Sequence, residues 1–376
     1  MPWRISSAMS ERIEFVLLAN QEKANIRQLC RRFGISSKTA YKWLRRFREK
    51  GVAGLADRSR RPHHSPGRTP VGMEKKVLSI HRKYPGWGGR KLQQRLLDLG
   101  HQSLPSPNTF TAILRRHNLL DPRESAKHRA FQRFERAVPN ELWQMDFKGE
   151  FQLRRGGRCY PLTMLDDHSR FAVGLQACTA NTTPITQAAV IEVFRRYGLP
   201  EAITCDNGPP WGTRFPGHYT RFGVWLLRLG IRLLHSRPHH PQTQGKDERF
   251  HRTLNLELLR HLQVYGHKQC QQEFNRWRHI YNNERPHEAL AMKVPAVRYQ
   301  PSSREYPERL PPIEYGPSDI VRKVRDYGHF KYLGREYHLG RAFYGLHIAL
   351  RYTATDGVMD VYFCQQRIRS INLADQ

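Results

Sequence analysis

The chain has 376 residues, a length that predicts two to four domains of ~100 to 200 residues each. Its 63 Lys and Arg residues against 33 Asp and Glu residues leave a net charge of +30, concentrated in the first 140 residues, which favours a polyanionic partner such as nucleic acid. No run approaches the ~20 apolar residues of a membrane span, and no secretory leader is recognisable. We therefore expect a cytoplasmic protein with no membrane partner.

Three short helices are predicted near the N-terminus, within a first domain of residues 1–56. Apolar residues recur at helical spacing over residues 10–20 and 25–33, and a third helix begins after Ser36. Helices separated by the short turn at Gly34 are typical of a helix-turn-helix. The face of the third helix opposite its apolar side presents groups suited to base edges and phosphates: Ser37, Lys38, Lys42 and Arg45. A plain three-helix bundle with a solvated basic face is the alternative.

A basic linker and a second helical region follow. Residues 57–70 combine three prolines with Arg58, Arg60 and Arg61, and they predict either a flexible linker or an arm that lies in a minor groove. Residues 71–120 contain three more helical patterns and predict a second helix-turn-helix. These patterns span 74–84, 90–99 and 107–117. Residues 121–139 are polar and basic and are predicted to be a linker.

Residues 140–300 are predicted to form one α/β domain. Three strand-like runs, joined by turns, precede a helix, a strand, a second helix, a second strand and a third helix. The runs and helices span 143–153, 160–165, 170–178, 183–197, 202–205, 220–229 and 231–235, and the last helix begins at Lys246. Asp146 lies inside the first run, and Asp206 ends the fifth. An acid in a buried strand is costly unless it is paired or binds a metal.

Two more acids, Asp247 and Glu248, stand at the start of the last helix of this domain. A helix start stabilises negative charge, so capping is a simple interpretation for one of them. On an ideal helix Asp247 lies nearer the apolar stripe, and the residue pattern alone does not choose between the two. Asp166 and Asp167 are a further acidic pair, whose position between two strands favours a turn paired with Arg170.

The C-terminal part divides into a proline-rich linker, residues 301–318, and a small domain, residues 319–376. Short β-rich runs separated by glycines predict a small β-barrel in this domain. The barrel either contacts DNA or mediates subunit contacts. The six cysteines include no Cys-x-x-Cys pair and are expected to be reduced core residues.

Several motifs occur in the order and context of one family. They are Trp143-Gln144-Met145-Asp146, Asp166-Asp167-His168-Ser169-Arg170, Asp206-Asn207-Gly208, the run 241–254, and Tyr281-Asn282-Asn283-Glu284-Arg285-Pro286-His287. Residues 140–299 thereby resemble the DDE transposases of bacterial insertion sequences, which are relatives of retroviral integrases. The chain departs from the family pattern at Gln244, where Asn is commoner. It departs again in a longer gap between Asp206 and Glu248, which we assign to a loop insertion at 209–219.

The resemblance implies a multidomain fold: N-terminal all-α helix-turn-helix modules, a central α/β ribonuclease-H-like integrase core and the C-terminal small β-barrel. It implies that Asp146, Asp206 and Glu248 are the catalytic and metal-binding acids, since the family motif Gly-Lys-x-Glu-Arg selects Glu248 over Asp247. They would hold two Mg²⁺ (or Mn²⁺) ions per active site, because hard cations take oxygen ligands. The basic neighbours of the third acid are expected to contact DNA: Lys246, Arg249, His251 and Arg252.

The implied function is that of a nucleoid-associated bacterial transposase. It would bind the terminal inverted repeats of a mobile element, cleave DNA strands and transfer them into target DNA. Its partners would be double-stranded DNA, both element ends and target, and at least one further copy of the chain, because two ends must be held together. Two alternatives are a catalytically inactive DNA-binding regulator derived from a transposase, and a host nuclease of the ribonuclease H type.

Overall fold

The computed structural model describes residues 7–59, 69–120, 135–213, 218–235 and 245–374. The chain divides into two compact units, Met1–Arg68 and Thr69–Gln376. Arg60 and Arg61 of the basic linker, and residues 121–134 of the second linker, lie outside the described residues. None of the described helices has the length and apolar character needed to cross a membrane. The finer division into domains stays a prediction.

The first unit contains the three predicted helices: α1 (Ala8–Ala19), α2 (Ile26–Arg32) and α3 (Ser37–Lys50). A side chain caps each of them, because Ser7, Asn25 and Ser36 accept hydrogen bonds from backbone N–H groups in the first turns. The inner faces meet in one core with Phe15, Val16, Cys30, Ala40, Trp43 and Leu44. Gly34 has a φ of +62° in the short turn before α3, a conformation that favours glycine.

A second three-helix module opens the second unit, with α4 (Val71–Lys83), α5 (Gly89–Asp98) and α6 (Pro107–Arg116). These helices match the predicted patterns to within about three residues. Apolar side chains from all three form one buried cluster that includes Val77, Leu92, Phe110, Ile113 and Leu114. Gly89 lets α5 approach α6 closely, because a Cβ there would lie 2.5 Å from the carbonyl oxygen of Pro107.

A six-stranded sheet is the centre of the second unit. Its strands are β1 (Trp143–Phe147), β2 (Phe151–Gln152), β3 (Arg158–Asp166), β4 (Ala172–Cys178), β5 (Ala202–Cys205) and β6 (Arg232–His235). β3 pairs antiparallel with β1, β2 and β4, whereas β5 runs parallel to β1 and β6 parallel to β5. The single strand expected over residues 143–153 is thus wrong, because the chain leaves the sheet between β1 and β2.

Helices pack against this sheet through two separate core clusters. α7 (Thr183–Tyr197) and α8 (Arg221–Arg228) share one cluster with Trp143 and Met145 of β1. α9 (Gly245–Glu257) and α10 (His267–Asn283) share the other, in which Phe250 and Leu254 meet Phe274 and Trp277. The sequence patterns predicted α9, but they did not predict α10, which is the longest helix among the described residues.

The second three-helix module is anchored to α10 through Glu284, which follows that helix directly. Arg95 of α5 donates to the Glu284 carboxylate at 2.7 Å, and the Tyr84 hydroxyl donates to the same oxygen. Tyr84 in turn stacks on Trp87, with ring centroids 4.2 Å apart. The Glu284 side chain is only 19% exposed, so these charge-assisted contacts lie in a region of reduced solvent access.

The C-terminal region is β-rich, as predicted. An antiparallel sheet in the order β12-β11-β10-β7 is formed by β7 (Ile320–Lys323), β10 (His347–Tyr352), β11 (Val358–Phe363) and β12 (Gln366–Asn372). A separate hairpin consists of β8 (His329–Tyr332) and β9 (Arg335–His338). The closed barrel is not confirmed, because β7 and β12 are sheet edges in the described residues 319–374. The apolar face packs around Val224 and Leu227 of α8.

We expect Glu284→Gln to loosen the second module selectively. The change removes the negative charge that Arg95 and Tyr84 contact, and a hydrogen bond to a charged group contributes ~1.5–3 kcal/mol. Hydrogen exchange across α4–α6, followed by mass spectrometry, should accelerate about tenfold. Glu288→Gln is the matched control, because Glu288 is 46% exposed and 3.9 Å from Arg90. Equal exchange in the two variants would contradict the anchoring role of Glu284.

Candidate active site

Asp146 and Asp206 lie close together near the carboxyl ends of two neighbouring strands. Gln144 of β1 is opposite Thr204 of the parallel strand β5, so Asp146 in β1 and Asp206, just after β5, lie at the same level of the sheet. Burial is the main cause that raises the pKa of Asp146 to about 6, and the negative charge of Asp206 is the second. The sheet therefore brings two carboxylates close enough to repel each other.

The loop after β5 fixes the Asp206 carboxylate. Its Oδ1 atom accepts hydrogen bonds from the Gly208 backbone N–H at 3.0 Å and from the Trp211 indole N–H at 2.5 Å. The Asp146 Oδ1 atom accepts a local bond, from the N–H of Phe147 at 2.8 Å. The sequence analysis assigned Trp211 no role. Trp211 follows Asp206 by five residues, and this spacing does not reveal the hydrogen bond, which depends on how the loop folds.

The two acids at the start of α9 have opposite environments. Asp247 is 5% exposed, and burial raises its pKa well above the usual value, with Asp146 and Asp167 acting in the same direction. Its Oδ1 atom has no hydrogen-bond partner among the described residues, so its surroundings disfavour the charged form. Glu248 is exposed and faces a depression of about 380 Å³ lined by Lys148, His251, Arg252, Asn255, Leu256 and Arg260.

His251 lies one turn after Glu248, next to Asp146. Its Nδ1 atom is 3.8 Å from Asp146 Oδ2, and its Nε2 atom is 2.8 Å from the Thr163 hydroxyl. Because that hydroxyl donates its hydrogen to the Asp146 carbonyl, Nε2 is the donor and Nδ1 carries the lone pair. Burial lowers the pKa of His251 to about 3, and Lys148 contributes. His251 is therefore neutral, and its predicted contact with DNA stays a prediction.

The remaining predicted DNA contacts are placed as follows. Lys246 is largely buried, and its ammonium lies 2.5 Å from Asp167 Oδ1. Arg249 is exposed and Arg252 borders the depression beside Glu248. In the first unit every described candidate is exposed: Ser37, Lys38, Lys42, Arg45 and Arg58. On α3 they lie opposite the buried Ala40, Trp43 and Leu44.

Asp166 and Asp167 form the predicted turn, but their side chains serve other groups than Arg170. Asp166 accepts from the N–H groups of Asn140 and Ser169. Asp167 accepts from Gln144 at 2.8 Å and holds Lys246. Arg170 instead donates to the backbone carbonyl of Asp167 and pairs with Glu135. The predicted pairing of Arg170 with an aspartate side chain in this turn is therefore wrong.

The donor set fits a hard divalent cation. Two carboxylates on neighbouring strands repel each other without a cation, and carboxylate oxygens are the ligands that Mg²⁺ takes in proteins. Asp146 and Asp206 would hold the cation, and Glu248 would approach from α9. Among the residues that the structure describes, no group of three or more His, Cys, Asp or Glu side chains is already arranged as a metal site.

Comparison with known protein families assigns most of the chain. The Integrase core domain matches residues 136–241, and a second Integrase core domain matches residues 229–295. A Helix-turn-helix domain matches residues 11–63, and a Homeodomain-like domain matches residues 39–114. The C-terminal domain of the IS481 family transposases matches residues 319–376. The predicted helix-turn-helix region and integrase core are thereby confirmed.

Individual relatives are distant. The chain is 26% identical over 258 residues to an uncharacterized 39.2 kDa protein of insertion element IS476 from Xanthomonas euvesicatoria, covering 65% of this chain and 69% of that protein. It is 22% identical to the transposase for transposon Tn552 from Staphylococcus aureus, covering 65% of this chain and 54% of that protein. Among solved structures, the HTLV-2 integrase catalytic core domain in complex with magnesium has 16% identity and a TM-score of 0.32, covering 43% of this chain and 97% of that chain.

The raised pKa of Asp146 predicts how stability depends on pH without metal. Between pH about 4 and about 6 the folded chain binds more protons than the unfolded chain, so stability falls as pH rises through this window and stays lower above it. Asp146→Asn removes the titrating carboxyl and therefore the loss of stability at higher pH. We expect the metal-free variant to be more stable than wild type at pH 8, on the order of 1–3 kcal/mol, with little difference near pH 4.

Urea unfolding in EDTA at both pH values measures this difference. Asp356→Asn is the control, because Asp356 lies in an exposed turn. A wild-type chain that is more stable than Asp146→Asn at pH 8 would show that the surroundings of Asp146 do not destabilise its charged form.

Proposed function

We propose that the chain, which matches integrase core domains and the C-terminal domain of the IS481 family transposases, binds the terminal inverted repeats of a mobile DNA element. We further propose that it cleaves DNA strands there and transfers them into target DNA. One observation carries this proposal: Asp146 and Asp206 lie close together because the strands β1 and β5 pair in parallel, beside the helix that presents Glu248. Such a set of acids serves metal-dependent phosphoryl transfer.

Two divalent ions would supply the activated oxygen nucleophile and stabilise the leaving 3′ oxygen. The role of the chain is to hold and surround them. Asp146 and Asp206 would provide the shared ligands, and Glu248 would complete the set from α9. His251 adds no positive charge beside Asp146, because it is neutral. Lys148, Arg252 and Arg260 line the depression next to Glu248, where their charges would bind the phosphates of the scissile strand.

Recognition of the element end is assigned to the helical modules. α3 presents its polar and basic face to solvent, and Lys42 lies 4.3 Å from the centroid of the Trp43 ring, a cation–π contact that orders the side chain. Two ends must be held together for coordinated joining. The active assembly is therefore proposed to contain at least two copies of the chain on DNA.

The acids are tested by amide substitutions. Asp146→Asn, Asp206→Asn and Glu248→Gln each remove a charged ligand with little change in shape. Each should lower Mg²⁺-dependent cleavage and joining of a labelled element end by at least a hundredfold, because the metals act on charge that develops in the transition state. DNA binding should persist in all three, because the helical modules are unchanged.

Asp247→Asn is the matched control for Glu248→Gln. The two acids are adjacent, but Asp247 is buried and its surroundings disfavour the charged form, so an amide should be tolerated with activity within a few fold of wild type. An active Glu248→Gln protein, or an inactive Asp247→Asn protein at equal DNA occupancy, would overturn the assignment. Wild-type protein that binds element ends yet cleaves nothing with Mg²⁺ or Mn²⁺ would favour the regulator.

DNA reading by α3 is tested by salt dependence. Lys42→Ala should weaken binding of the full chain to the terminal-repeat duplex and reduce the slope of log K against log salt by ~0.9, the effect of one lost phosphate contact. Lys23→Ala removes the same charge from the exposed turn between α1 and α2 and should leave the slope unchanged. Fluorescence anisotropy at several salt concentrations gives both slopes. Indistinguishable slopes for the two variants would remove α3 from the interface.

A further inference from the structure

Trp211 contacts the elements that carry both aspartates of the candidate active site. Its side chain is 1% exposed. The indole ring stacks on Phe147, the residue after Asp146, with ring centroids 5.3 Å apart and an angle of 12° between the planes. The indole N–H donates to Oδ1 of Asp206 at 2.5 Å. One side chain thus packs against the strand that carries the first acid and is hydrogen-bonded to the second acid.

The hydrogen bonds at Asp206 distinguish its two oxygens. Oδ1 accepts from both Trp211 and the Gly208 backbone N–H. A side chain at Gly208 would place its Cβ 3.1 Å from Oδ2, so the glycine keeps the space beside that second oxygen open. The loop therefore fixes the carboxylate through one oxygen and leaves room for a ligand at the other.

The indole itself is held by the protein core. The Thr220 hydroxyl donates to the Trp211 carbonyl at 3.3 Å and also accepts from Gly223 in the first turn of α8. Phe222 of the same helix packs next to the indole, with ring centroids 6.4 Å apart. Because the ring lies between β1 and α8, its N–H points in a fixed direction, and so does the carboxylate that accepts from it.

We propose that Trp211 is a positioning residue for metal binding: its N–H orients Asp206 so that Oδ2 faces a cation shared with Asp146. The inference rests on the proposed function, since it assigns the two aspartates to a metal. Hydrogen-bond donors behind a ligating carboxylate fix its orientation, and their loss typically costs 10–100-fold in metal affinity or activity. A tryptophan that only fills the core would have no such effect.

Trp211→Phe separates the two roles, because phenylalanine keeps an aromatic ring and lacks the N–H donor. Mn²⁺ binding to the full chain without DNA is measured from the electron paramagnetic resonance signal of the free ion. The dissociation constant should rise about tenfold. The Mg²⁺ concentration for half-maximal strand cleavage should rise by a similar factor, while the rate at saturating Mg²⁺ stays within a few fold of wild type.

Trp225→Phe is the matched control. Trp225 is buried in the same core cluster, so the change removes the same volume, and Mn²⁺ affinity should equal that of wild type. Trp211→Tyr provides a second variant without the indole N–H, should Trp211→Phe fail to fold. Near-ultraviolet circular dichroism establishes that each variant is folded before its affinity is compared.

The outcomes separate this inference from the proposed function. If Asp206→Asn loses Mn²⁺ while Trp211→Phe and Trp211→Tyr bind it as tightly as Trp225→Phe, the positioning role is overturned and the metal site stands. If wild type and Asp206→Asn bind Mn²⁺ equally, both are overturned. Weaker binding by the folded Trp211 variants alone supports the inference.

Discussion

Repulsion between two carboxylates, Asp146 and Asp206, is the constraint on which the candidate site depends. The parallel pairing of β1 with β5 places them at the same level, and burial together with the neighbouring charge raises the pKa of Asp146 to about 6. Lys148 lowers the pKa of Asp146, but burial and Asp206 outweigh it, and His251 is neutral. A divalent cation bound there would relieve the repulsion and would supply the chemistry of phosphodiester cleavage at the same place.

The run 281–287 has no role in the proposed chemistry, but it makes contacts that hold the structure around these acids together. Within the run 281–287, Asn282 exchanges two hydrogen bonds with the backbone of Ala172 in β4. Glu284 holds the second helical module, and Arg285 pairs at 2.8 Å with Glu257 at the end of α9, with both side chains less than 10% exposed. Residues of this short run thus join the sheet, the second helical module and the helix that presents Glu248. The segment therefore has a structural role around the acids.

Local patterns predicted most of the framework, because alternating apolar residues and glycine or proline breaks determine strands and helices over short distances. They placed β5, α7 and α9, and they put Asp146 in one strand and Asp206 at the end of another. What they did not predict depends on contacts between distant segments: the anchoring of Lys246 by Asp167, the neutral His251 beside Asp146, the indole at Asp206 and the long helix α10. The strand break after Phe147 and the open C-terminal sheet were missed because strand length and closure depend on pairing, which periodicity does not report.

The choice of Glu248 over Asp247 came from the family motif and stays a prediction. The central claim is that a divalent cation binds between the two strand acids. Anomalous diffraction from crystals of the full chain soaked in Mn²⁺ tests it most directly. We predict a peak about 2.0–2.3 Å from carboxylate oxygens of both Asp146 and Asp206, on the side of the sheet that faces Glu248. A well-ordered site with Mn²⁺ bound elsewhere and no peak between these two carboxylates would contradict the account.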